Sequence, residues 1–273
     1  MPELPEVETI CRTLREGTPT SPSLLGNIIS GARVFWARSL ETPGVEEFYS
    51  RLPGQSINYI DRRGKFLVFS LNRDSLLIHL RMSGDIFIEA VDSPIAKHHR
   101  LVVNFQNDTR MAFNDPRKFG RVWLVAKPEA VTRRLGPEPL EEEFTAADLY
   151  HRLQTSHRQL KPLLLDQSFL AGLGNIYADE SLNLAHLHPL VSSQSVTEEQ
   201  AYRLWSSIRQ VLNEAILRNG SSIDWVYRGG DFQDYFRAYD REGQPCLECG
   251  TIIQRIRVGQ RSTHYCPQCQ KFP

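Results

Sequence analysis

Cys246, Cys249, Cys266 and Cys269 lie near one end of the chain in the pairs "CLEC" and "CPQC", separated by "GTIIQRIRVGQRSTHY". Two such pairs at this spacing are two knuckles that close on one tetrahedral Zn²⁺. Four thiolates fill the coordination sphere and leave no position for water, so the metal is expected to hold structure and not to do chemistry. Two disulfides are the alternative, and they suit an intracellular chain poorly. Cys11, alone near the start, and His264 are read as non-ligands. The other concentration of chemistry is at the opposite end, where "MPELPEVETI" places Pro2, Glu3, Pro5, Glu6 and Glu8 in a stretch that most chains leave frayed and tolerant of change. Carboxylates so placed could serve as general acids or bases. The same acids in the first turn of a helix would also favour its positive end.

Elements must hold both ends. Val7, Ile10, Cys11 and Leu14 follow helical spacing, with Pro5 suited to a first turn and Gly17 marking the stop. From Ile28 to about Lys127 the chain becomes short runs rich in Val, Ile, Phe and Tyr. Hairpin signals such as "QND" and "NDPR" separate them, which predicts an antiparallel sandwich or barrel with no helix between the strands. "KPEAVTRRLGPEPLEEEF" breaks every periodicity and reads as a linker. Beyond it the pattern is helical. Thr145 with Asp148, and Thr197 with Gln200, form capping boxes, and Phe144 with Leu149 forms a staple. Ala201, Leu204, Trp205, Ile208, Val211, Leu212, Ala215 and Ile216 make one apolar stripe that Asn219-Gly220 ends. Between the cysteine pairs, alternation around a Gly turn predicts a β-hairpin.

The 273 residues are 41% hydrophobic, enough for one large domain or two ordinary ones. No run of about eighteen apolar residues and no signal-peptide pattern occurs, so a soluble, intracellular protein without a membrane partner is expected. Lys+Arg and Asp+Glu are equal at 32 each, but a zero sum does not exclude a basic face. Arg255, Arg257, Arg261 and Lys271 occupy a tail free of acid, while "LGPEPLEEEF" gathers acid in one connector. Solvated decoration is the simpler reading for two of the three hairpin arginines.

"MPELPEVET", "NDPRKFG", "GLGNIYADE" and "GQRSTHYCPQCQK" together resemble, in order and across the whole chain, the formamidopyrimidine-DNA glycosylases, bacterial base-excision repair enzymes. The resemblance implies an α+β protein: a β-sandwich with an N-terminal helix over residues 1–133, a helical domain with a helix-two-turn-helix motif over 134–236, and a zinc-finger β-hairpin over 237–273. It also implies damaged double-stranded DNA in the cleft between the halves, a monomer, and a cytoplasmic, nucleoid-associated setting.

Family members lose the initiator Met, so Pro2 is expected to present a free secondary amine that attacks C1′ of a damaged nucleotide. An α-amino group has a pKa of about 7.7–8.0 against about 10.4 for lysine, so a useful fraction is unprotonated near neutrality without burial. Attack expels the base and leaves an iminium that acidifies the neighbouring sugar proton, which leads to β and then δ elimination. By the same resemblance Glu3 protonates the sugar ring oxygen or shuttles protons, Glu6 supports it, and Lys65 in "RRGK" acts at the site. Met82, Arg117 and Phe119 fill the gap left by the extruded nucleotide, each from a hairpin-like turn. Lys161, Asn175 and Arg261 hold phosphates, with Asn175 at a glycine-rich helix start whose amides offer an anion site.

"NGSSIDWVYRGGDFQDYFRAYDREGQPC" departs from the family pattern and carries Trp225, Tyr227 and Arg228 where relatives close over oxidised guanine, so 8-oxoguanine and formamidopyrimidine are not ranked. An endonuclease VIII-like pyrimidine glycosylase is the nearest rival, against which "PELPE" and "NDPRKFG" favour the purine branch. A non-catalytic zinc-ribbon module that binds nucleic acid is the rival of another kind.

Overall fold

The structure is a computed structural model that describes residues 1–19, 21–222 and 229–272; Trp225, Tyr227 and Arg228 lie outside the described residues. It divides into two compact units. Among the described residues, the first comprises Met1–Pro2, Glu6–Arg133, Ser222 and Gly229; the second comprises Glu3–Pro5, Arg134–Ser221 and 230–272.

Helix α1 (Leu4–Glu16) forms as its apolar spacing requires, and Gly17 at φ +78° ends it. Strands β1 (Ile29–Val34), β2 (Leu40–Thr42), β3 (Ile57–Arg63), β4 (Phe66–Leu71), β5 (Ser75–His79), β6 (Asp85–Ala90), β7 (His99–Phe105), β8 (Thr109–Asn114) and β9 (Arg121–Val125) follow. They make a four-stranded sheet, β1-β7-β8-β6, and a five-stranded sheet, β2-β9-β5-β4-β3. One apolar core lies between them. Ile29, Ile60, Leu67, Phe69, Ile78, Leu101, Val103 and Phe113 come from the strands, and Val7, Cys11 and Leu14 come from α1.

Three expectations for this half need correction. Helix α2 (Val45–Arg51) interrupts the strands: Glu46 and Glu47 favour its first turn, and Phe48 and Leu52 are buried. At seven residues it is too short for periodicity to declare. β2 runs parallel to β9, so the second sheet is not wholly antiparallel. "QND" does turn the β7–β8 hairpin, but "NDPR" joins β8 of one sheet to β9 of the other, and "LRMSG" likewise joins β5 to β6. These are crossings between sheets, whose turn residues resemble those of hairpins.

The linker holds one turn, α3 (Glu129–Thr132), at its start, and the second unit takes up the chain just after it, at Arg134. Then come α4 (Ala146–Gln154), α5 (Leu160–Leu164), α6 (Asn175–Leu184) and α7 (Glu198–Leu217). Both capping boxes form reciprocally, Thr145 with Asp148 and Thr197 with Gln200. The stripe on α7 packs with Leu149, Leu153, Leu163, Leu170, Tyr177 and Leu182, its Trp205 and Ile216 half-buried at the margin. β10 (Gln254–Val258) and β11 (Arg261–Tyr265) form the expected hairpin. Among the described residues, no helix is long and apolar enough to cross a membrane.

Candidate active site and metal centre

The Sγ atoms of Cys246, Cys249, Cys266 and Cys269 lie within 4.8 Å of one another. Tetrahedral Zn–S bonds of about 2.3 Å place sulfurs about 3.8 Å apart. Here Cys246 and Cys269 are 3.9 Å apart and Cys249 and Cys266 are 3.4 Å apart. Burial and the neighbouring sulfurs push the Cys269 thiol up, while the hydroxyl and amide of Thr251 bring Cys249 down to about 6. Four thiolates this close need a cation between them, and the residues fit one structural zinc.

The hairpin is fastened to α6 by polar groups. Gln270 accepts from the Cys266 amide at 2.9 Å and from Asn183 at 2.9 Å, and donates to the Leu187 carbonyl at 2.9 Å. Asp179 accepts from the His264 amide at 3.0 Å, and Asn175 donates to the Ser262 carbonyl at 3.0 Å. Glu180, wholly buried, accepts from the amides of Arg237, Ala238 and Tyr239 at 2.7, 2.9 and 2.7 Å. Of the hairpin arginines, Arg255 is paired with Glu242 at 3.2 Å, while Arg261 is exposed at the start of β11.

Lys161 is fully buried. Its ammonium donates to Asp179 and, at 3.1 Å, to the Asn175 carbonyl. Burial draws its pKa down against the pull of Asp179. The phosphate contact expected of Lys161 is therefore not how its charge is used here: it supports the first turn of α6, where Asn175 sits. The anion site expected at that helix start is likewise filled from within the chain. Glu3 accepts from the Ile176 amide at 3.2 Å, and the Leu4 amide donates to the Gly172 carbonyl at 3.1 Å. Gly174 is required there, because a Cβ would overlap the Glu3 carboxylate.

In the first unit, Pro2 and Glu6 are buried, and Glu8 is held by Arg62 at 3.2 Å and Arg15 at 3.7 Å, which accounts for it structurally. Lys65 lies in the β3–β4 turn: Gly64 and Lys65 are the two residues between the paired Arg63 and Phe66. Lys65 is 5% exposed and adds to the field on His79, whose pKa burial lowers to about 3. The His79 Nδ1 accepts from the Arg81 amide at 3.0 Å.

Met82 and Phe119 are 42% and 47% exposed, large apolar side chains on the tips of the two inter-sheet crossings. The Arg117 guanidinium lies 5.1 Å from the Phe119 ring centre, and Lys118, at φ +62°, places its ammonium 4.0 Å over Trp36. Both crossings meet at Asp115, which is fully buried and which the motif-level reading passed over. Asp115, Asp179 and Glu180 sit inside quoted motifs, yet only their three-dimensional partners show what they do.

Sequence profiles of the formamidopyrimidine-DNA glycosylase N-terminal domain, the H2TH domain of the same enzymes, and a zinc finger found in FPG and IleRS match residues 1–122, 135–226 and 243–271. The chain belongs to the formamidopyrimidine-DNA glycosylase family. It is 45% identical to the formamidopyrimidine-DNA glycosylase of Chloroflexus aurantiacus, over 99% of this chain and 98% of that one. It is 40% identical to that of Enterococcus faecalis, over 100% and 98%. The crystal structure of a Lactococcus lactis FPG mutant with DNA containing Fapy-dG superposes with a TM-score of 0.91, at 36% identity, covering 99% of this chain and 100% of that one. Membership makes the protein a DNA glycosylase of base-excision repair with a zinc finger.

Proposed function

We propose that the protein removes oxidised purines, 8-oxoguanine and formamidopyrimidines, from duplex DNA and then cleaves the abasic site. Once Met1 is lost, the Pro2 nitrogen attacks C1′. The glycosidic bond breaks with its electrons on the departing base, which takes up a proton, and the sugar ring opens to an iminium. That cation acidifies the adjacent carbon; loss of its proton expels the 3′ phosphate, and a second elimination expels the 5′ phosphate.

The observation that carries this reading is the seat of Glu3. Its carboxylate, one residue from the proposed nucleophile, lies on the amide of Ile176 in a place that Gly174 leaves open. A group fixed beside the attacking nitrogen is suited to move a proton at the sugar oxygen. Support for the substrate comes from relatives: Lactococcus lactis FPG has been solved with Fapy-dG DNA, and a related chain with DNA containing carbocyclic 8-oxo-G. In the same reading Met82, Arg117 and Phe119 occupy the vacated stack, Lys65 and Glu6 serve the reaction site, Asn175 and Arg261 meet phosphate, and Lys161 acts through Asn175. The enzyme works as a monomer.

Borohydride added to the protein with a duplex bearing an abasic site tests this. A covalent adduct mapping to Pro2, lost in Pro2→Gly with duplex binding kept, is the expected result. Binding without an adduct would count against the Pro2 Schiff base and the strand cleavage that follows from it, and preferential release of oxidised pyrimidines would place the protein with the endonuclease VIII-like enzymes.

A further inference from the structure

We propose that Asp115 is a positioning residue that locks two separate crossings, residues 80–84 and 115–120, into one rigid wedge carrying Met82, Arg117 and Phe119. The inference rests on the reading of those three side chains as fillers of the vacated stack.

The geometry is specific. The Ser83 hydroxyl donates to Oδ1 of Asp115, and the Arg117 amide donates to the same oxygen at 3.2 Å and to Ser83 Oγ at 3.3 Å. Oδ2 accepts from the Gly120 amide at 2.7 Å. One carboxylate thus ties the residue after Met82 to the residues on either side of Lys118 and Phe119. Its own backbone is held in turn. Arg100, 8% exposed, donates from Nε to the Asp115 carbonyl at 2.7 Å, and the Asp115 amide donates to the His98 carbonyl at 2.8 Å.

Packing repeats the link. The buried ring of Phe113 stands between Gly84 of one crossing and Gly120 of the other, and a Cβ at either glycine would overlap that ring. The two tips cannot shift independently without breaking these hydrogen bonds or opening a space beside Phe113.

A carboxylate is needed because both oxygens face donors. Asparagine would turn its NH₂ toward an amide or a hydroxyl proton and leave a buried donor unmet. Exposed apolar side chains on unsupported loops would lose conformational freedom on entering a stack; preorganisation removes most of that cost. Mispositioning such groups by about 1 Å can slow a reaction about a hundredfold.

The test uses the full-length, zinc-loaded protein in two single-turnover assays: release of 8-oxoguanine from a duplex, and cleavage of a single-stranded abasic oligonucleotide, which has no stack to fill. For both Asp115→Asn and Ser83→Ala, the ratio of duplex release to single-strand cleavage is expected to fall about tenfold or more. 2-Aminopurine beside the lesion should show slower unstacking in both. Added to Phe119→Ala, which is itself slow on the duplex, Asp115→Asn should lower the ratio by less than it does in the wild type, because part of the wedge it supports is already gone. Ser83→Ala removes only the cross-link and guards against a misfolded Asp115 variant.

An unchanged ratio in Ser83→Ala and Asp115→Asn, beside an impaired Phe119→Ala, would overturn the role of Asp115 alone. Equal multiplicative losses in both backgrounds would overturn it too, since a general loss of stability acts without reference to Phe119. A Phe119→Ala protein as fast as wild type on the duplex would remove the wedge itself and the inference with it. Failure of single-strand cleavage by the wild type would instead count against the Pro2 chemistry.

Discussion

The carboxylate of Glu3 rests on the amide of Ile176 at 3.2 Å, in space that exists only because residue 174 is glycine. Gly174 has an extended backbone, φ −132°, that alanine also adopts, so the added methyl group would act first on the Glu3 carboxylate, whose atoms are its three nearest neighbours. Gly174→Ala should therefore slow base release by about a hundredfold in single-turnover assays, with duplex affinity retained. It should be tolerated without further loss in a Glu3→Ala background. A Gly174→Ala enzyme of normal rate would show that the seat of Glu3 is incidental.

The zinc centre should contribute folding free energy. Removal of the metal by a chelator, or Cys249→Ser, is expected to free Gln270 from Asn183 and Leu187, unfold the β10–β11 hairpin and abolish duplex binding. Metal analysis should give one zinc per chain. Wild-type affinity in a zinc-free Cys249→Ser protein would refute this role.

The buried ion pair of Lys161 and Asp179 makes a sharper stability prediction. Asp179→Ala strands an ammonium in the interior and also leaves the His264 amide without its acceptor. Loss of one partner of a buried pair costs about 3–5 kcal/mol. At about 2–4 °C per kcal/mol for a chain of this size, calorimetry should record a Tm lower by roughly 10 °C. A drop of one or two degrees would mean that the pair is far better hydrated than its burial implies.

His79 provides the pH dependence. Burial, with Arg81 and Lys65 nearby, lowers its pKa from 6.5 to about 3, so the folded state keeps it neutral where the unfolded chain would protonate it. Its contribution to stability is complete above pH 6.5 and is lost as pH falls toward 3. Urea unfolding between pH 7 and 4 should show proton uptake that His79→Gln reduces, with the remainder coming from groups such as His99 and His188, whose pKa values burial also lowers. Nitrogen NMR should find the proton on Nε2 at pH 5, since Nδ1 accepts from Arg81; an imidazolium there would contradict the assignment.

Much of this was legible in the residues alone, for physical reasons that can be named. The cysteine spacing determined the metal site because four short-range ligands in two pairs, each with two residues between its members, have few other uses. The capping boxes at Thr145 and Thr197 and the stripe on α7 were local patterns, set within one or two turns of chain, and they formed as such. The motifs marked the regions that carry Arg117, Phe119 and Asn175. What local pattern could not determine was partnership. Turn residues are alike whether the next strand pairs with the last or belongs to another sheet, so "NDPR" and "LRMSG" looked like hairpins and proved to be crossings. Whether a charge faces solvent or another charge depends on residues far along the chain. Only the fold set Lys161 on Asp179, Glu3 on the first turn of α6, and Asp115 under Ser83 and Gly120, because each of those contacts joins segments that sequence distance keeps apart.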